Sequence, residues 1–137
     1  MSKYQLKLCE KLYDKADDST YHKVKMMAFL FKGKTLISTG INSDKTDPIQ
    51  SQFRQMILGK NYDFIDKRHA EVDCLKYILN HKDLNPKDLT LWIISKRKNG
   101  TFRNSKPCVV CKKMIDILKV GEICYIFNNR VISEKLF

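Results

Sequence analysis

The stretch "EICYIFNNRVISEKLF", residues 122 to 137, constrains the fold more than any other part of the chain. It reads as a strand over residues 123 to 128, an Asn-Asn turn, and a strand over residues 131 to 136. Asn tolerates the left-handed dihedrals that a tight hairpin turn demands. A parallel pair would need a crossover of about a dozen or more residues. None fits here, so these two strands must run antiparallel.

Upstream, strand-like and helix-like patterns alternate. Residues 4 to 16 form an amphipathic helix, with Leu8, Cys9, Leu12, Tyr13 and Ala16 at helical spacing. The apolar runs "VKMMAFLF" (24 to 31) and "TLISTGI" (35 to 41) flank "KGK" and predict a hairpin. Residues 43 to 68 make a long connection, in which Asp47 and Pro48 are expected to cap and start a short helix through "IQSQFRQMIL". A helix opened by His69 follows, its apolar positions Val72, Leu75, Ile78 and Leu79 recurring until "NHKDLNP". Residues 89 to 95, "LTLWIIS", are a strand, and a basic loop leads to "PCVVCKKMIDILKVG". There the spacing predicts a helix with Pro107 at its first position and Gly121 at its C-cap. The order is α-β-β-α-β-α-β-β: one α/β domain over residues 1–137, a mixed five-stranded sheet with helices on its faces, and no internal repeat.

At 137 residues and 43% apolar content, the chain suits one core rather than disorder. No apolar run approaches a membrane span, and "MSKYQLKLCEKLYDKA" lacks the apolar stretch and cleavage site of a signal peptide, so an intracellular, cytoplasmic protein is expected. Five cysteines without a secretory context favour a metal or free thiols over disulfides. The 26 Lys and Arg against 15 Asp and Glu give a net charge of +11, which favours phosphate-bearing partners or simply a soluble surface.

Two short motifs carry chemistry. In "KRHAEVDC", His69 and Glu71 fall in the first turn of a helix, where backbone N–H groups are unpaired and the helix dipole is positive. In "KPCVVCKK", Cys108 and Cys111 also open a helix behind a strand, placing two sulfurs on one side of a turn whose positive end lowers thiol pKa values. Two thiolates and an imidazole suit zinc, and three protein ligands leave a fourth position open, as in catalytic sites. A redox pair would want a thioredoxin-like βαβ pattern, which is missing. A structural zinc site would want a fourth ligand, yet Cys9 and Cys74 fall on apolar helix stripes, Cys124 in a strand, and His22 and His81 in loops.

Together, His69-x-Glu71 followed by Pro107-Cys108-x-x-Cys111 resembles the zinc-dependent cytidine deaminase superfamily. The resemblance covers the core of the chain, and the element order agrees along most of it. It implies a three-layer α-β-α sandwich whose last two strands are antiparallel, with one Zn2+ per chain held by His69, Cys108 and Cys111. Glu71 would be the catalytic residue, moving protons from the attacking water to the ring nitrogen and the departing amine. The Ala70 N–H would bond the base carbonyl and Asn42, at the end of "TGIN", the sugar. The expected reaction converts cytosine to uracil with release of ammonia. An adenosine deaminase acting on RNA and a non-catalytic zinc-containing nucleic-acid-binding module are the alternatives, and an intact Glu71 argues against the second. The antiparallel ending leans toward cytidine deaminase-like members, although many of those place Cys where this chain has His69.

The substrate signal is local charge. The loop into Pro107 carries Lys96, Arg97, Lys98, Arg103 and Lys106 around Phe102, with no acid. Basic residues interleaved with an aromatic can track a phosphate backbone and stack a base. Arg54, Lys60, Lys67 and Arg68 lie with Phe53, Tyr62 and Phe64 in the segment leading to His69. The expected partner is a cytosine-containing nucleotide or single-stranded nucleic acid, since a deaminase cannot reach a base stacked in a duplex. The family supplies a homo-oligomer as a prior and no membrane partner.

Overall fold

The structure, a computed structural model, describes residues 3–16, 24–43 and 69–136. Its elements are α1 (Lys3–Lys15), β1 (Met27–Lys32), β2 (Thr35–Ile41), α2 (Ala70–Asn80), β3 (Leu89–Ile94), α3 (Val109–Ile117), β4 (Glu122–Phe127) and β5 (Arg130–Lys135). The order expected from the sequence is the order observed. The short helix expected after Pro48, and the basic and aromatic residues between 53 and 68, lie outside the described residues.

The strands form one mixed sheet in the order β2-β1-β3-β4-β5. The β1–β2, β1–β3 and β4–β5 pairs are antiparallel and β3–β4 is parallel. Asn128 and Asn129 take φ of 49° and 63° between β4 and β5, the tight turn their amides tolerate.

Strand alternation divides the core in two. Ala28, Leu30, Leu91, Ile93, Ile123 and Tyr125 face α2 and α3, whereas Phe29, Phe31, Trp92, Ile94 and Cys124 face α1. The result is the three-layer α-β-α sandwich. Burying each large side chain such as Phe29 or Leu91 contributes about 1.5–3 kcal/mol. On the α1 side a buried amide joins helix and sheet: Trp92 Nε1 donates to Gln5 Oε1 at 2.8 Å, and Gln5 Nε2 donates to the Gly33 carbonyl at 2.7 Å.

Helix α3 departs from expectation at both ends. Cys108 has extended dihedrals (φ −68°, ψ 170°) and caps the helix with its sulfur, so Pro107 lies before the cap and not at the first helical position. At the other end Lys119 takes the left-handed φ of 59°, with Val120 N–H reaching the Ile115 carbonyl and Lys119 N–H that of Asp116. This double bond pattern is the Schellman ending that glycine usually serves. Gly121 is needed for another reason: a Cβ there would collide with the Lys87 carbonyl.

Gly40 decides where α2 sits. A Cβ at that position would fall inside 3.0 Å of the Ala70 carbonyl, the Cys74 N–H and the Cys74 Cβ, so only glycine lets β2 and the start of α2 touch. Polar stitches follow the same line, with Ile41 N–H donating to Asp73 Oδ2 at 3.0 Å and Ser38 Oγ to the Cys74 carbonyl at 2.9 Å. Because the obstructing atoms are backbone, Gly40→Ala is expected to cost about 3 kcal/mol or more, beyond ordinary overpacking. Urea unfolding measures this; an unchanged midpoint would mean that α2 does not rest on β2.

Candidate active site

Helices α2 and α3 start at the same end of the sheet, because β2 and β3 run in one direction and each leads toward one of them. Ligands of open α/β sheets bind in such crevices at the carboxyl ends of strands. His69 is the N-cap of α2 without using its side chain for capping, and Cys108 is the N-cap of α3. The two caps therefore meet.

The structure brings together the three residues expected to bind metal. His69 Nδ1 lies 3.2 Å from Cys111 Sγ and 3.6 Å from Cys108 Sγ, and all three donor atoms lie within 4.8 Å of one another. Tetrahedral zinc, with Zn–N of about 2.0–2.1 Å and Zn–S of about 2.3 Å, sets its N and S ligands roughly 3.6 Å apart. The group fits that ion. Cys111 is buried and Cys108 exposed, so the cluster opens to solvent through Cys108.

The protons on these groups are strongly biased. Cys108 is pulled down to about 4, first by a hydrogen bond with the Cys111 thiol and then by His69 and the Cys111 N–H, so it is a thiolate at neutral pH. Cys111 is pushed well above its ordinary value by the same contact with Cys108, and burial adds to the effect. The hydrogen bond with Cys108 holds His69 above its ordinary value of 6.5 against the opposing effect of burial.

Metal binding must displace the protons of His69 and Cys111, so affinity depends on pH. A proton competes with zinc for His69 until the pH rises past its elevated pKa, and for Cys111 to higher pH still. Zinc affinity is therefore expected to weaken as pH falls from about 8 to about 6, by about tenfold per unit for each proton displaced. Competition with a chromophoric chelator reads this directly. A flat profile would remove His69 and Cys111 from the ligand set.

Glu71 is only 2% exposed, and its Oε1 has no hydrogen-bond partner among the described residues. Burial raises its pKa, while His69 opposes the rise. A buried carboxylate with an unpaired oxygen is costly in a protein interior. Here it lies beside His69 and Cys111, which is where a proton carrier serving the metal cluster would have to be.

The other expected site residues are placed differently. Ala70 is fully buried against Gly40, and its N–H is among the first four that a helix cannot pair internally. Asn42 follows the last residue of β2, where its Nδ2 donates to the Val24 carbonyl at 2.7 Å and its Oδ1 accepts from Met26 N–H at 2.9 Å. The basic loop folds into a small hairpin through a Lys96–Phe102 bridge. Within it Lys96 pairs with Asp14 at 2.9 Å, Arg97 donates to the Phe102 carbonyl at 2.6 Å, and Arg103 donates to the Lys96 carbonyl at 3.2 Å. Phe102 packs against the α1 side of the core, while Lys98 and Lys106 are exposed.

Ser105 went unnoticed in the sequence. The β3–β4 ladder runs through Thr90–Glu122, Leu91–Ile123 and Trp92–Cys124, and beyond it Ser105 is wedged between the strands. Its Oγ donates to the Ile93 carbonyl at 2.7 Å and accepts from Ile126 N–H at 2.9 Å, while its own N–H donates to the Ile126 carbonyl at 2.8 Å. Ser105 thus anchors the segment that carries Cys108, three residues on, to both parallel strands. A serine in a polar loop gives no sign of this.

The sequence matches no protein-family model and no curated protein. Solved structures do match. A cytidine deaminase from Burkholderia pseudomallei superposes with a TM-score of 0.62 at 15% identity, covering 99% of this chain and 94% of that one. The chain has the cytidine deaminase fold. A dCMP deaminase from the cyanophage S-TIM5, in apo form, superposes with a TM-score of 0.52 at 17% identity, over 90% of this chain and 82% of the other. On this cytidine deaminase fold the His-Cys-Cys cluster and Glu71 stand at the paired helix starts of the layer formed by α2 and α3. Among the described residues no helix is long and apolar enough to cross a membrane.

Proposed function

We propose that the protein is a zinc-dependent hydrolytic deaminase that converts a cytosine base to uracil and releases ammonia, acting on a phosphate-bearing substrate. The observation that carries this reading is the buried Glu71 carboxylate, one oxygen of which has no hydrogen-bond partner among the described residues, beside a His-Cys-Cys cluster of zinc-like dimensions. A metal site used only to hold a fold or to bind nucleic acid has no need of that costly carboxylate. The two deaminases that share the fold support the same reaction class.

His69, Cys108 and Cys111 would hold one zinc ion, which when bound supplies the Lewis acidity that makes water nucleophilic near neutral pH. Glu71 takes a proton from the attacking water and delivers it to the ring nitrogen. The new C–O bond forms at the ring carbon that carries the amino group. Glu71 then shuttles the second proton of the water to the amine, the C–N bond breaks, and ammonia leaves. Its raised pKa favours the protonated form that this carrier must adopt in mid-cycle. The Ala70 N–H is assigned to the base carbonyl. Asn42 is assigned to the sugar. Arg97, Lys98 and Lys106, exposed on the loop before Cys108, are assigned to the phosphate.

The test is mass spectrometry of products after incubating the zinc-loaded protein with cytidine, dCMP, cytosine-containing single-stranded DNA and adenosine-containing RNA. Conversion of a cytosine substrate supports the assignment. Conversion of adenosine alone would replace it with the adenosine reading, and a protein that binds oligonucleotide but converts nothing would be the binding module.

A further inference from the structure

Helix α1 carries lysines at positions 3, 7, 11 and 15, and all four are exposed. The side chains buried on the sheet are Gln5, Cys9 and Tyr13, two residues out of step and so about 200° around the helix. The lysines therefore form a single ridge along the outermost crest. Among the described residues none of the four is ion-paired.

This ridge does not help the helix. Each i,i+4 pair of like charges disfavours it, and Lys3 stands in the first turn, where the helix dipole is already positive and no acid is present. The regular spacing, about 6 Å along the axis per lysine and about 18 Å in all, suits a ligand with regularly repeated negative charge. A mononucleotide would cover only one of these lysines. A lipid surface is a poorer match, because interfacial helices insert an apolar face, and here the apolar side of α1 is turned to the sheet, with only Tyr4 (54% exposed) on the outer side.

The ridge also leads somewhere. At its C-terminal end Tyr13 Oη accepts from Lys96 N–H at 2.9 Å, and Asp14, next to Lys15, pairs with Lys96. Lys96 opens the loop that carries the exposed Lys98 and Lys106 and runs directly into Cys108. We propose that α1 is a backbone-tracking surface for single-stranded nucleic acid, which its lysine ridge guides along the basic loop toward the metal cluster. The proposal rests on the deaminase reading for what happens to the base, but the binding it asserts is independent of turnover. It makes the substrate a polynucleotide rather than a free nucleotide.

The experiment is fluorescence anisotropy of a labelled cytosine-containing single-stranded oligonucleotide, titrated with the full chain over a salt series. The triple variant Lys7→Gln, Lys11→Gln, Lys15→Gln is compared after thermal melting has shown that it folds like the parent. Each lost phosphate contact lowers the slope of log affinity against log salt by about 0.7 for a single strand, so the variant slope is expected to be shallower by about 2. Affinity at low salt should fall at least about tenfold. The double variant Lys3→Gln, Lys7→Gln should show about two thirds of the slope change. Equal slopes and affinities for parent and variants would overturn the proposal, as would a parent that binds phosphatidylserine vesicles but no oligonucleotide. Failure of the deaminase reading is seen separately, as the absence of product from every substrate while the ridge-dependent binding persists.

Discussion

Glu71→Gln is expected to abolish turnover while leaving zinc content and fold intact. The amide keeps the size of the side chain and cannot accept and return a proton at neutral pH. General acid–base groups contribute about 10²–10⁴-fold to rate, so kcat should fall by at least that factor, roughly 3–5 kcal/mol of transition-state stabilisation. The proposed zinc ligands are other residues, so metal analysis should still find one ion per chain. A second readout separates a proton carrier from a mere packing residue. Burial raises the Glu71 pKa, so the carboxylate costs the fold nothing below its unfolded value near 4.5 and costs progressively more as pH rises through the folded value. After chelation the variant should therefore gain melting temperature over the parent as pH increases through that window. An active variant would end the assigned role, and an advantage over the parent no larger at neutral than at acid pH would show that the carboxylate is not buried in its charged form.

This separation of roles explains which features could be read in the sequence. The hairpin at the C-terminus was legible because two residues between two apolar runs admit one topology. The His-Cys-Cys cluster was legible because both halves sit at helix starts, where spacing within one turn sets which side chains stand together. What stayed hidden depends on neighbours distant in the chain. Gly40 looks like any strand glycine until α2 is laid on it, and Gly121 looks like a helix cap until Lys87 is found against it. Lys119 takes the left-handed position because the Schellman bonds and the burial of Val120 offset a cost of about 1–2 kcal/mol for a side chain there. The sequence offers Lys96, Arg97 and Arg103 with Lys98, Phe102 and Lys106 as phosphate or strand contacts, whereas in the structure Lys96 pairs with Asp14 and both arginines donate to carbonyls of their own loop. Composition counts charges and cannot say which way they turn.

Cys111→Ser should lose the metal without losing the fold, and the reason lies in how α3 is held. Val110, Met114 and Ile115 are buried, and Ser105 anchors the preceding segment to β3 and β4, so the helix has a seat independent of any ion. The thiol is also the better buried of the two sulfurs, so a serine there offers a hard, protonated oxygen where a soft thiolate is needed. Removing an outer-shell partner of a metal ligand already costs about 10–100-fold in affinity, so removing a ligand itself should exceed about 100-fold. In thermal melts the parent midpoint should climb with added zinc, because a ligand that binds only the folded state stabilises it in proportion to the logarithm of its concentration. Cys111→Ser and Cys108→Ser should show no such climb, whereas Cys9→Ala, on the other face of the sheet, should behave as the parent does. Stoichiometric zinc in either site variant would refute the ligand set. Zinc lost from Cys9→Ala as well would mean that the metal responds to general loosening of the core and not to the three side chains that converge at the helix starts.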